Sequence, residues 1–557
     1  MHLLLCVVIL AAIAVFAPSS GISWAPPIAR WLDGLAKHRS ACILGIAVLS
    51  LLFSFGSNLV LKTPAPRCAD EFGYLLQGDT YSRGRLKNAT PAMWKHFQTF
   101  DVIFEPAYTA KYPPAQGAAL ALGHLLGKPI IGVWLSTAFT CAAILWMLFA
   151  WLPPRWALPV SLLATFDPEL AMWNWDYWGG SIALGGGALV LGSYRRIADP
   201  ASTESPVLAG GAMGLGMAIL ANSRPFEGLA LSLAVIAVLL FDLARTRRLP
   251  ILLRALPPWI AILAITGAFI LYYNKDITGN AFQFPFMLYE RTYDCAPLFI
   301  WQKLPPVPIY RNPDLLRWYQ GARDFYASQQ TFGGFCHVSL AKVADLGLFF
   351  WSGLALVLLA ATPVAIRHDP WLWRALVFVL VSAAAIAGSN YLMVHYEAPV
   401  LSLLFVFLGA CAQRIWQWKL RGRPSGAFFV TGMALLLLGY SLSFFFIRQH
   451  KNQNGANWGF WRNQIVSDLA RDGHKHLILV HYSSNHNDNE EWVYNGADLD
   501  SPPVLWAEDM GADQNRELLD YYKDRVVWVF DPDADAKPRP YRADTANPAG
   551  KPALSPI

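Results

Sequence analysis

A polar stretch between two strongly apolar runs contains two adjacent carboxylates, a lysine and several tyrosines. Asp70 and Glu71 begin the stretch, and Lys111 lies near its end, just before Pro113-Pro114. A carboxylate at a membrane interface can accept the proton of an attacking hydroxyl, and a lysine there can bind an anion. Each residue alone is more typical of a solvated loop with ordinary interfacial anchors. Their combination favours acid–base chemistry on a membrane-bound substrate.

Further candidate site residues lie at later polar turns. Arg224, where an apolar run ends, is a second cation for an anionic group, and its alternative is a structural ion pair with Glu227. His395 could likewise bind a phosphate, or it could anchor the chain at the interface. The aromatic turn near 173–178 is suited to stacking on a sugar or a polyprenyl chain, and a plain aromatic belt is an equal alternative. The candidate substrate-binding residues are Tyr74, Tyr112, Gln116, Tyr177, Trp178, Glu227 and Tyr396.

The composition identifies an integral membrane protein. The chain has 557 residues, of which 55% are hydrophobic and 15% charged. The net charge of +6 does not indicate a nucleic-acid partner, because arginines and lysines stand in short connections between apolar runs, as at 195–196, 245–254 and 419–423. The positive-inside rule places these connections in the cytoplasm.

This sidedness predicts a bundle of about twelve apolar segments, with the polar stretch and the C-terminus on the extracytoplasmic side. The clearest spans are predicted at 41–61, 129–151, 343–364, 371–389, 398–418 and 427–447. Residues 114–126 are apolar but too short to cross, and a crossing there would move every later arginine cluster to the wrong side. We therefore predict an interfacial helix. The transmembrane module covers 1–447, with extracytoplasmic loops at 62–128 and 274–342.

The chain becomes polar after the last span. Apolar runs at 477–482, 504–507 and 526–530, with helical patterns at 465–471 and 514–523, predict a small soluble α/β domain over 448–535. We expect this domain to be separable from the bundle and to affect acceptor choice. Residues 536–557 are predicted to be a disordered tail. A disulfide between Cys295 and Cys336 is left open.

The polar stretch resembles the first extracytoplasmic loop of lipid-carrier-dependent glycosyltransferases with the GT-C fold. The similarity is to the glycosyltransferase family 39-like superfamily of protein O-mannosyltransferases and aminoarabinose transferases. In that family an Asp-Glu pair follows a span, a short helix ends in glycine, and an aromatic-x-x-Lys-Pro-Pro turn follows. Here the counterparts are Asp70-Glu71, the helix to Gly84, and Tyr108 to Pro114, with Tyr112 inserted between Lys111 and the prolines.

The resemblance implies an all-α polytopic membrane bundle of the GT-C type with a small extracytoplasmic α/β domain. It also implies a glycosyltransferase that moves a sugar from a polyprenyl-phosphate donor to a protein, glycan or lipid acceptor, without a metal. The resemblance further implies that Asp70 and Glu71 are the catalytic residues. Asp70 is the base, and Glu71 is expected to hold the helix start or a neighbouring arginine. Lys111, Arg224 and His395 bind the donor phosphate.

Two other classes stay open as alternatives, a polytopic transporter and a membrane-anchored binding or assembly protein without catalysis. A transporter would place ionisable residues at mid-span and break matching helices in two halves, whereas this chain concentrates its polar residues at the outer face. A binding protein would explain the C-terminal domain but not the polar stretch. The expected location is a bacterial inner (plasma) membrane, with the active site outside.

Overall fold

The computed structural model describes residues 2–16, 25–310, 313–349, 354–391, 394–454, 457–483 and 485–541. Its elements are mainly helices. The first eleven are α1 (His2–Phe16), α2 (Ala25–Leu35), α3 (Arg39–Val60), α4 (Ala69–Ser82), α5 (Pro114–Leu125), α6 (Pro129–Trp151), α7 (Pro154–Thr165), α8 (Pro168–Trp173), α9 (Gly180–Ala198), α10 (Pro206–Ala221) and α11 (Pro225–Arg245). The others are α12 (Leu252–Thr278), α13 (Pro285–Tyr293), α14 (Pro313–Ser328), α15 (Phe332–Phe349), α16 (Leu354–Leu359), α17 (Thr362–His368), α18 (Trp371–Ala387), α19 (Ala398–Trp416), α20 (Ser425–Asn454), α21 (Trp458–Leu469) and α22 (Ala512–Tyr521).

Six helical segments in the described part of the chain are long and apolar enough to cross a membrane. They are Arg39–Val60, Pro129–Trp151, Pro225–Arg245, Leu249–Thr278, His395–Trp416 and Ser425–Gln453. Shorter apolar helices lie at Cys6–Phe16, Pro206–Ala221 and Trp371–Ala387. Many helices start with a proline, for example Pro129 and Pro225. Proline is favourable there because the first turn of a helix leaves its N–H groups without intrahelical partners. The polytopic helical bundle predicted from the sequence is thus confirmed.

Small residues bring the central helices of the bundle close together. A Cβ at Gly187 of α9 would lie 1.8 Å from the carbonyl oxygen of Pro399 in α19, which leaves no room for any other residue. Close backbone approach at glycine is a common way to pack helices in a membrane, where the hydrophobic effect does not hold them together. The packing of α9 on α19 fixes the N-terminal end of α19, which directly follows His395 and Tyr396.

The region between α12 and α18 differs from the prediction. The long loop expected at 274–342 contains α13, α14 and much of α15. The predicted span at 343–364 lies partly outside the described residues, which omit 350–353; beyond that gap α16 ends at Leu359 and α17 begins at Thr362, with a proline in its first turn. Cys295 and Cys336 are both free thiols, and the Cys295 Sγ donates to the Tyr319 carbonyl at 3.0 Å.

The described residues form six short strands in two sheets. In the loop at 62–128, β1 (Val102–Ile103) pairs antiparallel with β2 (Thr109–Ala110). The C-terminal sheet has the order β4-β3-β5-β6, with β3 (His476–Val480), β4 (Val504–Glu508), β5 (Val526–Phe530) and β6 (Arg539–Pro540). The first three are parallel, with α22 between β4 and β5, which is the α/β architecture predicted from the sequence.

One part of the predicted disordered tail is ordered. Arg539 and Pro540 pair antiparallel with β5 at the sheet edge, where a proline is tolerated because its missing N–H would face outward. The rest of the predicted tail, at 542–557, lies outside the described residues.

The C-terminal domain shares one hydrophobic core with the loop at 62–128, between α3 and α6. The ring of Phe72 in α4 stacks on Tyr494 with centroids 4.4 Å apart and planes 1° from parallel. Tyr108 of the loop donates its hydroxyl to the Asn495 and Gly496 carbonyls, at 3.1 Å each. The core also contains the fully buried Trp492 and Trp506. C-terminal residues thus cover the apolar face of α4, and this contact argues against a domain that is separable from the bundle.

Candidate active site

A cavity of about 970 Å³ opens between the loop at 62–128, the start of α11, helices α13 to α15, and the turn before α19. Its walls are mostly aromatic and aliphatic, with charged side chains at a few points. Nine of the predicted site residues line it: Asp70, Tyr74, Lys111, Tyr112, Trp178, Arg224, Glu227, His395 and Tyr396. Three do not line it: Glu71, Gln116 and Tyr177.

Asp70 lies in the first turn of α4 and is held by Tyr112. The Tyr112 hydroxyl donates to Asp70 Oδ1 at 2.6 Å. The other carboxylate oxygen, Oδ2, accepts no hydrogen bond from the described part of the chain. A carboxylate fixed through one oxygen with its second oxygen facing a cavity has the geometry of a general base.

Tyr112 is itself rigidly positioned. Its ring stacks on Tyr74 with a centroid distance of 4.3 Å, and a Cβ at Gly73 would lie 2.8 Å from the same ring. Its carbonyl accepts the Gln77 side-chain amide at 2.6 Å. The hydrogen bond to Asp70 therefore costs little side-chain entropy, because packing already fixes the donor.

Some groups around Asp70 raise its pKa and others lower it. Burial raises the pKa of Asp70, and the nearby Asp101 raises it further. The Tyr112 hydrogen bond and the positive charges of Lys111 and Arg224 lower it, and the net pKa is above the usual value. A carboxylate with a raised pKa is a stronger base than a free aspartate when it is ionised.

Glu71, next to Asp70, points away from the cavity. Its Oε2 accepts the Arg67 backbone N–H at 2.5 Å, and its Oε1 accepts the Tyr177 N–H at 3.2 Å. These bonds join the start of α4 to the aromatic turn before α9. Gln116 supports the same turn, donating to the Tyr177 carbonyl at 2.9 Å, while the Tyr177 hydroxyl donates to the Pro64 carbonyl at 3.1 Å. The structure thus gives these three residues contacts with the backbone of neighbouring segments.

Lys111 lines the cavity but is already paired. Its Nζ lies 2.8 Å from Asp101 and 3.7 Å from Glu290, and 4.5 Å from the centre of the Tyr289 ring. Burial lowers the pKa of Lys111, but these two carboxylates raise it, and the net pKa is well above the ordinary value. Asp101 has a left-handed backbone, with φ at 64°, and its carbonyl accepts the Lys111 N–H at 3.0 Å. The ammonium is therefore charged and partly neutralised.

The surroundings of Arg224 differ from those of the ion-paired Lys111. Its guanidinium lies over the Tyr396 ring, 4.7 Å from the centroid. Within the described residues it makes no hydrogen bond and no ion pair within 4.0 Å, with Glu227 or with any other carboxylate. The ion pair that the sequence allowed is thus not formed, and a half-buried cation faces the cavity without an anion.

Trp178, His395 and Tyr396 form an aromatic wall next to Arg224. The His395 ring lies 5.3 Å from Trp178 and 4.9 Å from Tyr396 between centroids. His395 is 7% exposed. This arrangement suits stacking on a flat or apolar ligand, with Arg224 at its edge.

Several cavity residues were not predicted from the sequence as site residues. Asp101 and Glu290 neutralise Lys111, and Asp294 accepts a hydrogen bond from the Tyr391 hydroxyl at 3.0 Å. The C-terminal domain contributes Asp488, which pairs with Arg317 of α14 at 2.7 Å. None of these residues stands in a motif. The sequence signal for them was limited to acidic residues inside the extracytoplasmic loops.

Comparison with known proteins identifies the fold. No protein-family model and no curated protein sequence matches the chain. Among solved structures, ArnT from Cupriavidus metallidurans in the apo state matches with a TM-score of 0.50 and 12% identity, covering 90% of this chain and 94% of ArnT. ArnT bound to undecaprenyl phosphate matches with a TM-score of 0.47 and 12% identity, over 89% of this chain and 90% of that one.

A third match is an oligosaccharyltransferase from Archaeoglobus fulgidus tethered to an acceptor peptide. Its TM-score is 0.43 at 11% identity, covering 87% of this chain and 68% of that chain. The likeness to apo ArnT over nearly the whole of both chains shows a shared fold. The chain is therefore an integral membrane protein with the GT-C fold, as the sequence predicted.

Proposed function

We propose that the protein is a glycosyltransferase that transfers a sugar from a polyprenyl-phosphate donor to an acceptor hydroxyl. The proposal rests on the presence of two complementary groups in one cavity, a carboxylate and a cation. Among the described residues, one carboxylate oxygen of Asp70 has no hydrogen-bond partner and the Arg224 guanidinium has no anionic partner within 4.0 Å. Sugar transfer from a lipid phosphate needs both, a base for the acceptor and a cation for the leaving group. The GT-C fold agrees with this reading at the level of architecture.

The proposed reaction is a single displacement. The acceptor hydroxyl, held against Asp70 Oδ2, attacks the anomeric carbon from the face opposite the phosphate. Its proton passes to Asp70 as the new carbon–oxygen bond forms. The bond from the anomeric carbon to the phosphate oxygen breaks, and its electron pair stays on the phosphate. The products are the glycosylated acceptor, with inverted anomeric configuration, and polyprenyl phosphate. The proposed reaction requires no metal ion.

The different contacts of Lys111 and Arg224 indicate different roles in binding the phosphate. Lys111 was the first candidate from the sequence, but Asp101 and Glu290 already neutralise much of its charge. Arg224 lacks such partners, so we assign it the direct contact with the phosphate, where its planar guanidinium can bind two oxygens at once. Lys111, which is paired with Asp101, then contributes positive potential without contacting the phosphate directly. His395 packs against Trp178 at the edge of the site.

The remaining cavity residues supply the walls for the sugar and the lipid. Tyr74, Trp178 and Tyr396 offer flat aromatic faces, and Glu227 offers an acceptor for sugar hydroxyls. The arginine clusters in short connections support a location in a bacterial inner membrane with this cavity on the extracytoplasmic side. The acceptor is a protein, glycan or lipid that reaches the cavity from that side.

The test uses purified protein in lipid nanodiscs with radiolabelled polyprenyl-phosphate sugars and a membrane extract as the source of acceptors. We expect release of polyprenyl phosphate by the wild type and not by Asp70→Asn. Absence of release with every donor sugar would overturn the proposal. Proteoliposomes separate it from the transporter alternative, because a transporter would move the intact donor across the bilayer without breaking the sugar–phosphate bond.

A further inference from the structure

A row of large apolar side chains is exposed beside the cavity, in the irregular segment at 298–310 between α13 and α14. We call this row the 301–309 strip, and it consists of Trp301, Leu304, Val307 and Ile309. Ile309 is 97% exposed and Trp301 is 66% exposed. Contiguous apolar side chains are rarely left in water on a protein surface, so an apolar partner is expected to cover the strip.

The backbone of the strip is held in place by the end of α14. Arg323 donates to the Pro305 carbonyl at 3.3 Å, and Gln330, just after the helix, donates to the Ile300 carbonyl at 3.2 Å. These bonds satisfy backbone carbonyls of the segment with groups of the protein. The strip is therefore a positioned surface, and its apolar side chains are exposed while its backbone is anchored.

The strip begins at the ends of two apolar helices of the bundle. The Ile300 N–H donates to the carbonyl of Gly388, which directly follows α18, at 3.1 Å. A Cβ at Gly388 would lie 2.4 Å from the Trp301 ring. Phe299 packs on Phe226, in the first turn of the membrane-crossing helix α11, with centroids 4.6 Å apart. The strip is thus continuous with the surface by which the bundle contacts lipid.

A further exposed aromatic residue lies at the end of α12, on the same side of the bundle. Phe282 is 85% exposed and stands four residues after Thr278, with which α12 ends. This end of α12 is on the cavity side, because its Tyr273 hydroxyl donates to the carbonyl of the cavity residue Tyr112 at 3.4 Å. Exposed apolar side chains therefore follow α12 as well as α18.

The composition of the segment suits the boundary between lipid headgroups and acyl chains. Tryptophan is enriched at that boundary, and Lys303, the only charged residue at 298–310, can extend its ammonium toward the headgroups. Pro305, Pro306 and Pro308 have no N–H group, so they leave fewer donors to be removed from water. A non-helical backbone exposed to lipid is excluded from the hydrocarbon core, which limits the strip to the interface.

We propose that the 301–309 strip, together with Phe282, inserts into the headgroup–acyl boundary of the bilayer on the cavity side of the bundle. The partner is the lipid surface itself, which the membrane-crossing helices already place at this level. The strip shares a wall with the cavity, because Leu298 and Phe299 line the cavity and Phe299 stacks on Trp301 with centroids 4.8 Å apart. Lipid contact at Trp301 then holds this wall at the depth of the headgroups. The inference goes beyond the proposed function and does not depend on sugar transfer.

The experiment measures lipid contact in the full chain by photochemical attachment. Ile309 is replaced by the photoreactive amino acid p-benzoylphenylalanine, and the protein is reconstituted in nanodiscs with radiolabelled phosphatidylcholine. After irradiation, the radiolabel bound to the protein is counted following denaturing gel electrophoresis. The same replacement at Ile265, an exposed residue of α12, is the control for lipid contact. Replacement at Tyr521, an exposed residue of α22 in the C-terminal domain, is the control for exposure to water.

We expect lipid attachment at Ile309 to approach that at Ile265 and to exceed that at Tyr521 by at least about tenfold, because only inserted residues contact acyl chains. Replacement at Trp301 tests the strip at a second point and should give the same result. Each protein is first shown to be monodisperse by size-exclusion chromatography.

Attachment at Ile309 and Trp301 no greater than at Tyr521 would overturn the inference. Photochemical attachment of these positions to a second copy of the chain, or to another protein in native membranes, in place of lipid would also overturn it. Failure of the proposed function appears separately, as absence of polyprenyl phosphate release in the transfer assay.

Discussion

Removal of the Tyr112 hydroxyl should shift the pH dependence of transfer toward higher pH. In Tyr112→Phe the ring keeps its stacking on Tyr74, but Asp70 Oδ1 loses its donor at 2.6 Å. A hydrogen bond to a charged group contributes about 1.5–3 kcal/mol. Since one pKa unit corresponds to about 1.4 kcal/mol, loss of this bond should raise the pKa of Asp70 by about 1–2 units.

The sign of the effect follows from the role of Asp70. The base must be ionised to accept a proton, and the Tyr112 hydroxyl stabilises the ionised form. Without it, Asp70 becomes protonated at higher pH, so the acid limb of kcat/KM moves upward by about 1–2 pH units. Well above the new pKa, transfer should recover substantially, because the carboxylate itself is intact.

The assay is the pH profile of kcat/KM for polyprenyl phosphate release. Tyr108→Phe is the matched control, because it removes a buried hydroxyl from the same loop whose acceptors are neutral carbonyls. It should lower the thermal stability and leave the acid limb in place. An unmoved acid limb in Tyr112→Phe, or a shift to lower pH, would refute the assignment of Tyr112 as the residue that positions Asp70.

Four further outcomes follow from the same contacts. Asp70→Asn should reduce turnover by ~10²–10⁴ while donor affinity stays near that of the wild type, as measured by donor binding beside transfer rates; near-normal turnover would exclude Asp70 as the base. Arg224→Gln should weaken binding of undecaprenyl phosphate by at least about tenfold, measured calorimetrically, and unchanged affinity would contradict the phosphate assignment. Glu71→Gln should clearly lower the melting temperature and only slightly lower kcat/KM, because the new amide nitrogen would face one of the two backbone N–H groups that Glu71 accepts from. Truncation after Arg448 should prevent recovery of monodisperse protein in size-exclusion chromatography, because the apolar face around Phe72 would be exposed; a well-folded truncated protein would show that the shared core is dispensable.

Local patterns were enough to predict the bundle and the C-terminal strands. Long apolar runs have one stable outcome in a bilayer, since helices satisfy all their backbone groups internally. The buried strand at His476–Val480 is a run of apolar residues bounded by polar ones, and it formed where predicted. These elements depend on their own residues and little on distant ones.

The contacts between distant segments were not predictable in this way. No pattern in the sequence links Phe72 with Tyr494, although their rings stack in one core. The same holds for Glu290, more than 150 residues from Lys111 and yet 3.7 Å from its Nζ. Such pairs follow from how the extracytoplasmic segments pack, which is a property of the whole fold.

The position of Tyr112 supports the different roles that we propose for Lys111 and Arg224. In that pattern the lysine directly precedes the two prolines, and in this chain Tyr112 occupies that place. The residue adjacent to the prolines is the one that reaches Asp70, and in this chain it carries a hydroxyl instead of an ammonium. Lys111, one residue earlier, is turned toward Asp101 and Glu290, which hold it as an ion pair. A site that still has to bind a phosphate then needs another cation without carboxylate partners, and in the proposed donor site Arg224 meets that requirement. In the proposed donor site, a hydrogen bond from Tyr112 thus supports the base, and we expect the affinity for the donor to depend on Arg224 of α11 more than on Lys111.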